Sequence, residues 1–271
     1  MKKIAKGFGF GIIVAVIGLL IFGAVNRTIA MNEEETLPGS ESAEYAAPAA
    51  GNEIAVSSNE TDAISEHDTL STPIALLPLG ELNQAEIDAL LYMREEEKLA
   101  RDVYLFLASQ WGLPAFSNIA SSEQTHMDLL LELINRYDLN DSASAETGVF
   151  NNAELQALYN QLIAQGSISA EEAFKVGAAI EEIDILDLQV RLSETDQQDI
   201  QQVFDTLIQG SYNHLNAFAG NLSNRFDIVY TPQYISNDLF QQILSTETGG
   251  SVSGFGNSSR SGQGGGGNGT N

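Results

Sequence analysis

The chain has 271 residues, a formal net charge of −25, a pI of about 4.1 and no cysteine. So acidic a chain lacks the basic face that nucleic-acid binding requires. The missing thiols exclude a disulfide framework and cysteine-ligated iron–sulfur, zinc-ribbon or rubredoxin-type sites, so stability must come from a packed core or from bound metal.

Lys2, Lys3 and Lys6 precede an uncharged stretch from Gly7 to Asn26 that includes Ile12-Ile13-Val14-Ala15-Val16-Ile17. A positive segment followed by an apolar run has the form of a secretory signal or an uncleaved anchor. About 20 apolar residues also suffice to span a bilayer. Residues 1–26 are therefore expected to be a signal peptide or N-terminal membrane anchor. The lysines would stay on the cytoplasmic side, leaving the remainder extracytoplasmic, secreted or anchored to the cytoplasmic membrane. No Lys or Arg occurs between Arg27 and Arg94, whereas Glu33, Glu34, Glu35, Glu41, Glu44 and further acids accumulate among Ser, Ala and Asn. Residues 27–78 read as an acidic disordered spacer, because this composition buries too little apolar surface to offset its ordering entropy. Residues 248–271, rich in Gly, Ser and Asn, read as a flexible tail.

Residues 79–247 carry helical periodicity and no strong period-2 strand pattern. Asn83 with Glu86 makes a capping-box pattern that opens a first long helix, closed at Trp111-Gly112. Pro114 opens a second, which runs to about Tyr137. Beyond a loop containing Asn140, Asp141 and Gly148, a short helix starts at Asn151 with Glu154 as its partner and stops near Gly166. Ser169 with Glu172 caps a third long helix that ends near Arg191. A fourth extends from about Asp196 to Leu222, and Thr231-Pro232 starts a short terminal helix. Four long helices plus short additional ones give an all-α chain of the four-helix-bundle type.

Each long helix carries a polar group near the centre of an apolar stripe. The stripes are Leu90, Met93, Glu97, Ala100 and Tyr104 in the first and Ile119, Glu123, His126 and Leu130 in the second. The third has Phe174, Ala178, Glu181, Ile185 and Leu188, with Asp184 at its border; the fourth has Leu207, Ser211, His214 and Phe218. Glu123 and His126, three residues apart, share a helix face and can point at one ion. Burying an unpaired carboxylate is costly, and five groups, Glu97, Glu123, His126, Glu181 and His214, could satisfy one another by sharing dications. Carboxylate with imidazole suits iron, manganese or zinc better than calcium or magnesium. Against this, a run such as Glu95-Glu96-Glu97 ordinarily marks a solvated face. A lone histidine such as His214 is more often a hydrogen-bonded core residue than a ligand. Met93 and Met127 read as core filler, and His67 belongs to the spacer.

The segment Leu91-Tyr92-Met93-Arg94-Glu95-Glu96-Glu97-Lys98-Leu99-Ala100-Arg101-Asp102-Val103-Tyr104 resembles a ferritin-like domain family of unknown function found in prokaryotic exported proteins. So do Asn118 to Met127, Ile180 to Ile185 and Gly210 to Leu215, in the same order, over about residues 80 to 222. The resemblance implies a ferritin-like four-helix bundle related to rubrerythrins and other di-iron carboxylate proteins. Glu97, Ala100 and Tyr104 match the rubrerythrin-like pattern Glu-x-x-Ala-x-x-x-Tyr, and Glu123 with His126 matches the first Glu-x-x-His. Glu181 matches the third-helix acid, with Glu182 as its competitor, and His214 matches the last histidine. Ser211 stands where a second Glu-x-x-His would have its acid. The second metal is then weakly held, or Asp184 replaces the acid, or the site takes a single ion.

Two ions of iron or manganese, with zinc a poorer fit, would give oxidase- or peroxidase-type redox chemistry with O2, peroxide or ferrous iron. Tyr104 would be a donor to a ligand carboxylate or part of the core packing. The competing reading is a non-catalytic exported helical module that has lost a full metal site. The partners expected are metal ions and, through an uncleaved N-terminal segment, the membrane; a homo-oligomer is left open, and nucleic acid is not expected.

Overall fold

The computed structural model describes residues 70–246. These residues form a 3-10 turn at Ile74–Leu76 and six α-helices, with no strand among the described residues. The helices are α1 (Gln84–Trp111), α2 (Pro114–Arg136), α3 (Ala153–Gly166), α4 (Ala170–Ser193), α5 (Gln198–Phe226) and α6 (Asn237–Thr246). The expected N-terminal signal or anchor, most of the acidic spacer and the Gly-rich tail lie outside the described residues. Among the described residues no helix is long and apolar enough to cross a membrane.

Helix boundaries follow local capping chemistry. Asn83 and Glu86 exchange side-chain and backbone hydrogen bonds at the start of α1, and Gly112 ends it at φ 63°, a conformation that suits a residue without Cβ. The Ser169 hydroxyl accepts the Glu172 N–H at the start of α4. Three boundaries differ from expectation. The cap of α3 is Asn152, whose side chain accepts from Glu154 and Leu155, while the Asn151 side chain turns away to donate to the Ser142 carbonyl. The terminal helix begins at Asn237 and not at Thr231-Pro232, because the N–H groups of Gln233, Tyr234 and Ile235 are spent on the Glu182 carboxylate. Helix α5 starts at Gln198 and continues past Leu222 to Phe226, where Asp227 turns into the left-handed region at φ 56°.

Helices α1 and α2 pack most extensively against each other, as do α4 and α5. The two pairs meet through α1 with α4 and α2 with α5, while α3 lies against α1 and α4 and α6 against α5. Gly177 permits the close approach of α4 and α5: a Cβ there would stand 2.6 Å from the Phe218 ring.

The apolar interior is split into two clusters. One gathers Tyr104, Leu107, Phe116, Phe174 and Phe218, and the other Leu90, Met93, Leu130, Leu188, Phe204 and Leu207. Each long helix contributes to both. On α1, α2 and α5 the polar positions fall between the two contributions: Glu97, then Glu123 and His126, then Ser211 and His214. On α4, Glu181 and Asp184 alternate with Ile180, Ile183 and Ile185 of the first cluster, just before Leu188 of the second. Packing also begins before residue 79. Ile74 is buried, Leu70 and Leu77 pack on the second cluster, and Arg136 Nη2 donates to the Leu77 carbonyl at 2.6 Å.

Candidate metal centre

The acidic run of α1 is not a solvated face. Glu95, Glu96, Glu97 and Lys98 are all buried, because α2, α3, α4 and the loop before α3 pack around this part of the helix. Each takes a different partner. Both oxygens of Glu95 accept backbone N–H groups, from Asn151 at 2.8 Å and Asn152 at 3.0 Å, which fixes the entry to α3. Lys98 Nζ donates to Asp102 at 2.6 Å and to the carbonyls of Glu146 and Val149. Glu96 lies against Asp187 and Asp184, and burial with these charges raises its carboxyl well above the usual range. Glu97 alone of the run meets the two histidine-bearing helices' polar layer.

The five residues singled out by pattern come together. His126 Nδ1 lies 2.9 Å from Glu123 Oε2 and 3.2 Å from Glu97 Oε2. His214 Nδ1 lies 2.9 Å from Glu123 Oε1 and 3.4 Å from Glu181 Oε2. The imidazole rings stand 5.5 Å apart. Two triads result, Glu97–Glu123–His126 and Glu123–Glu181–His214, each with one donor atom per residue within 4.8 Å of the others. They share Glu123, which turns one oxygen to each histidine. All five residues are at most 5% exposed.

Neighbouring side chains hold these groups in place. The Tyr104 hydroxyl donates to Glu181 Oε1 at 2.5 Å, so Tyr104 supports a carboxylate of the centre from α1. His214 Nε2 is 2.9 Å from Ser122 Oγ; with Nε2–H donating there, it is Nδ1 that faces the triad. Ser211 Oγ–H donates to Asp184 Oδ2 at 2.5 Å and also lies 2.9 Å from the Leu207 carbonyl. Glu182 is directed elsewhere. It accepts from the Tyr230 hydroxyl and from the N–H groups of Gln233, Tyr234 and Ile235, so it clamps the segment before α6. Periodicity could not separate Glu181 from Glu182, because Glu182's partners are supplied by a loop about fifty residues away.

Burial raises the carboxyls of Glu97, Glu181 and Asp184, and neighbouring carboxylates raise them further. For Glu97 the foremost neighbour is Asp184; for Asp184 it is Glu181. Glu123 goes the other way: burial opposes its ionisation, but His214 and His126 on either side hold it below the usual range. Burial would lower His214, yet Glu123 and then Glu181 push it up to about 10.

A family model described as an uncharacterized protein domain (DUF2202) matches residues 86–247. The chain belongs to that family. It is 45% identical to the uncharacterized protein MJ0754 of Methanocaldococcus jannaschii over 176 residues, 65% of this chain and 95% of that protein. The crystal structure of hypothetical protein MJ0754, from Methanococcus jannaschii, superposes with a TM-score of 0.61 at 45% identity, covering 63% of this chain and 97% of that one. The DUF2202 match contains every member of both triads as well as Asp184 and Ser211.

The donor set of this DUF2202 domain fits a dication. Glu97 Oε1 and Asp184 Oδ1 are buried oxygens with no hydrogen-bond partner among the described residues, an arrangement that is costly unless a cation or proton compensates it. Among the described residues, the ion pairs of Glu97, Glu123 and Glu181 are all made to His126 or His214, and none to Lys or Arg. The hard carboxylates and borderline imidazoles match iron, manganese or zinc. A bound dication would reverse the local electrostatics, favouring ionised carboxylates and neutral imidazoles.

Proposed function

We propose that this protein is a metal-binding protein whose four long helices form a ferritin-like bundle around a pair of iron or manganese ions. The observation that carries the reading is the pair of buried triads joined through Glu123. Glu97 and His126 would hold one ion, Glu181 and His214 the other, and Glu123 would serve both. Iron or manganese bound there supplies redox chemistry toward O2, peroxide or ferrous iron. The chain's own part is to bind and orient. Tyr104 holds Glu181, Ser122 holds the His214 ring, and the two apolar clusters keep bulk water away from the polar layer.

Metal analysis of protein prepared without chelator tests this. Stoichiometric iron or manganese is the expected result; protein that holds none, and takes up none on titration, would leave only the reading as a non-catalytic helical module.

We further propose that the domain works outside the cytoplasmic membrane. The basis is the Lys2, Lys3, Lys6 segment followed by the uncharged stretch from Gly7 to Asn26. Protease added to intact cells should cleave an anchored chain. Full protection in intact cells, with cleavage after lysis, would refute the topology.

A further inference from the structure

We propose that Asp184 is the fourth carboxylate of the centre, and that Ser211 is the residue that positions it. This rests on the metal-binding reading above. The three other long helices that carry a pair of polar positions space them three residues apart: Glu123 and His126 on α2, Glu181 and Asp184 on α4, Ser211 and His214 on α5. On each the pair shares a face. Helix α5 thus has a hydroxyl where an acid would complete a second Glu-x-x-His. The acid facing that hydroxyl across the helix interface is Asp184, 2.5 Å away.

Two observations point beyond a passive core hydrogen bond. First, Ser211 engages only Oδ2 of Asp184; Oδ1 is buried with no partner among the described residues, on a residue that is 5% exposed. A core serine–aspartate pair with one oxygen left bare is a poor solution for stability. An ion held by one of the two triads would give that oxygen its partner. Asp184 lies three residues from Glu181 on α4, on the same helix face, and meets α5 at Ser211.

Second, Asp184 would balance the charges. Glu97, Glu123 and Glu181 with two neutral imidazoles leave a buried pair of dications with one positive charge in excess. A fourth carboxylate removes the excess, and a buried net charge is expensive. Asp184 lies outside both triads as they stand, so its contribution belongs to the loaded centre. The hydroxyl of Ser211 is then no lost ligand. It holds one carboxylate oxygen and leaves the other for the ion, as outer partners do for ligand carboxylates.

The test is Mn2+ titration of the metal-free full chain by calorimetry, with bound metal counted after desalting and the metal-free fold checked by circular dichroism. The wild type should take up two ions. Asp184→Asn should take up one, with its helical signal unchanged. Ser211→Ala should weaken one ion about 10- to 100-fold, and Ser211→Thr, which keeps a hydroxyl, should restore it. Asp184→Asn binding two ions with wild-type affinity, or Ser211→Ala and Ser211→Thr behaving alike, would overturn the assignment. So would a wild type that takes up a single ion. A wild type that takes up none refutes the metal-binding reading itself, which is a separate result. Cobalt substitution gives a second readout: the d–d absorption of one Co2+ should change in Ser211→Ala and return in Ser211→Thr.

Discussion

Glu181 and Glu182 are adjacent on α4 and serve different parts of the structure. Glu181 Oε2 lies 3.4 Å from His214 Nδ1 inside the polar layer, whereas Glu182 accepts four hydrogen bonds, one from the Tyr230 hydroxyl and three from backbone N–H groups of residues 233 to 235. One step along a helix turns a side chain by about 100°, enough to move it from one environment to the other. Glu181→Gln should therefore lose the ion on the His214 side while keeping α6 docked. Glu182→Gln should keep the metal and lose stability, about 1–3 kcal/mol for buried donors left poorly satisfied. Metal counting and chemical denaturation of the two variants separate the roles; equal loss of metal in both would contradict the division.

Glu123 is the one residue common to both triads, so its removal should act on both ions at once. Glu123→Gln is expected to abolish stoichiometric binding, whereas Glu97→Gln should spare the His214 side and Glu181→Gln the His126 side. Glu95→Ala should bind metal normally but unfold more easily, because the N–H groups of Asn151 and Asn152 lose their acceptor. Calorimetric stoichiometry together with urea midpoints gives the pattern.

Legibility in the sequence was uneven for physical reasons. The stripes of α1, α2, α4 and α5 were readable because a carboxylate or imidazole amid apolar residues at helical spacing stands out, and those positions do come together. The starts of α1 and α4 were readable because capping is local chemistry. What was not readable is supplied from a distance. The burial of Glu95 and Lys98 depends on the loop before α3, some fifty residues on. The late start of α6 depends on Glu182, and the packing of Ile74 on residues of α5 and α2. A charge run looks the same in sequence whether water or a neighbouring backbone surrounds it.

Tyr104 supports Glu181 through a 2.5 Å hydrogen bond from the opposite helix pair, while its ring packs 5.2 Å from that of Phe218. Tyr104→Phe removes the hydroxyl and keeps the packing. Metal affinity should fall about 10- to 100-fold, the usual effect of losing a partner that orients a ligand, with little change in the metal-free unfolding midpoint. An unchanged affinity would reduce Tyr104 to core packing alone.

Ile74 makes the N-terminal boundary testable. Its side chain is 1% exposed and packs with residues such as Ile200 and Phe204. A chain beginning at residue 79 should unfold at lower denaturant than one beginning at residue 70. Ile74→Ala in the longer chain should cost about 2–5 kcal/mol. Equal midpoints for the two lengths would show that this segment adds nothing to the fold.

The pH dependence should run in opposite directions with and without metal. In the metal-free chain burial works against a charged His214, but Glu123 and Glu181 raise it from an ordinary 6.5 to about 10. A group whose pKa is higher folded than unfolded stabilises the fold fully below its unfolded value. That contribution is lost as pH rises through the folded one. The metal-free protein should therefore lose the His214 contribution between about pH 6.5 and 10. Metal needs the Nδ1 lone pair, so binding must displace the proton. Below about pH 10, affinity should climb with pH by about tenfold per unit for each proton released. Calorimetry in two buffers of different ionisation enthalpy should register that proton at about pH 7.5, and His214→Asn should eliminate its release. Binding that releases no proton from the wild type would mean that His214 is not a ligand.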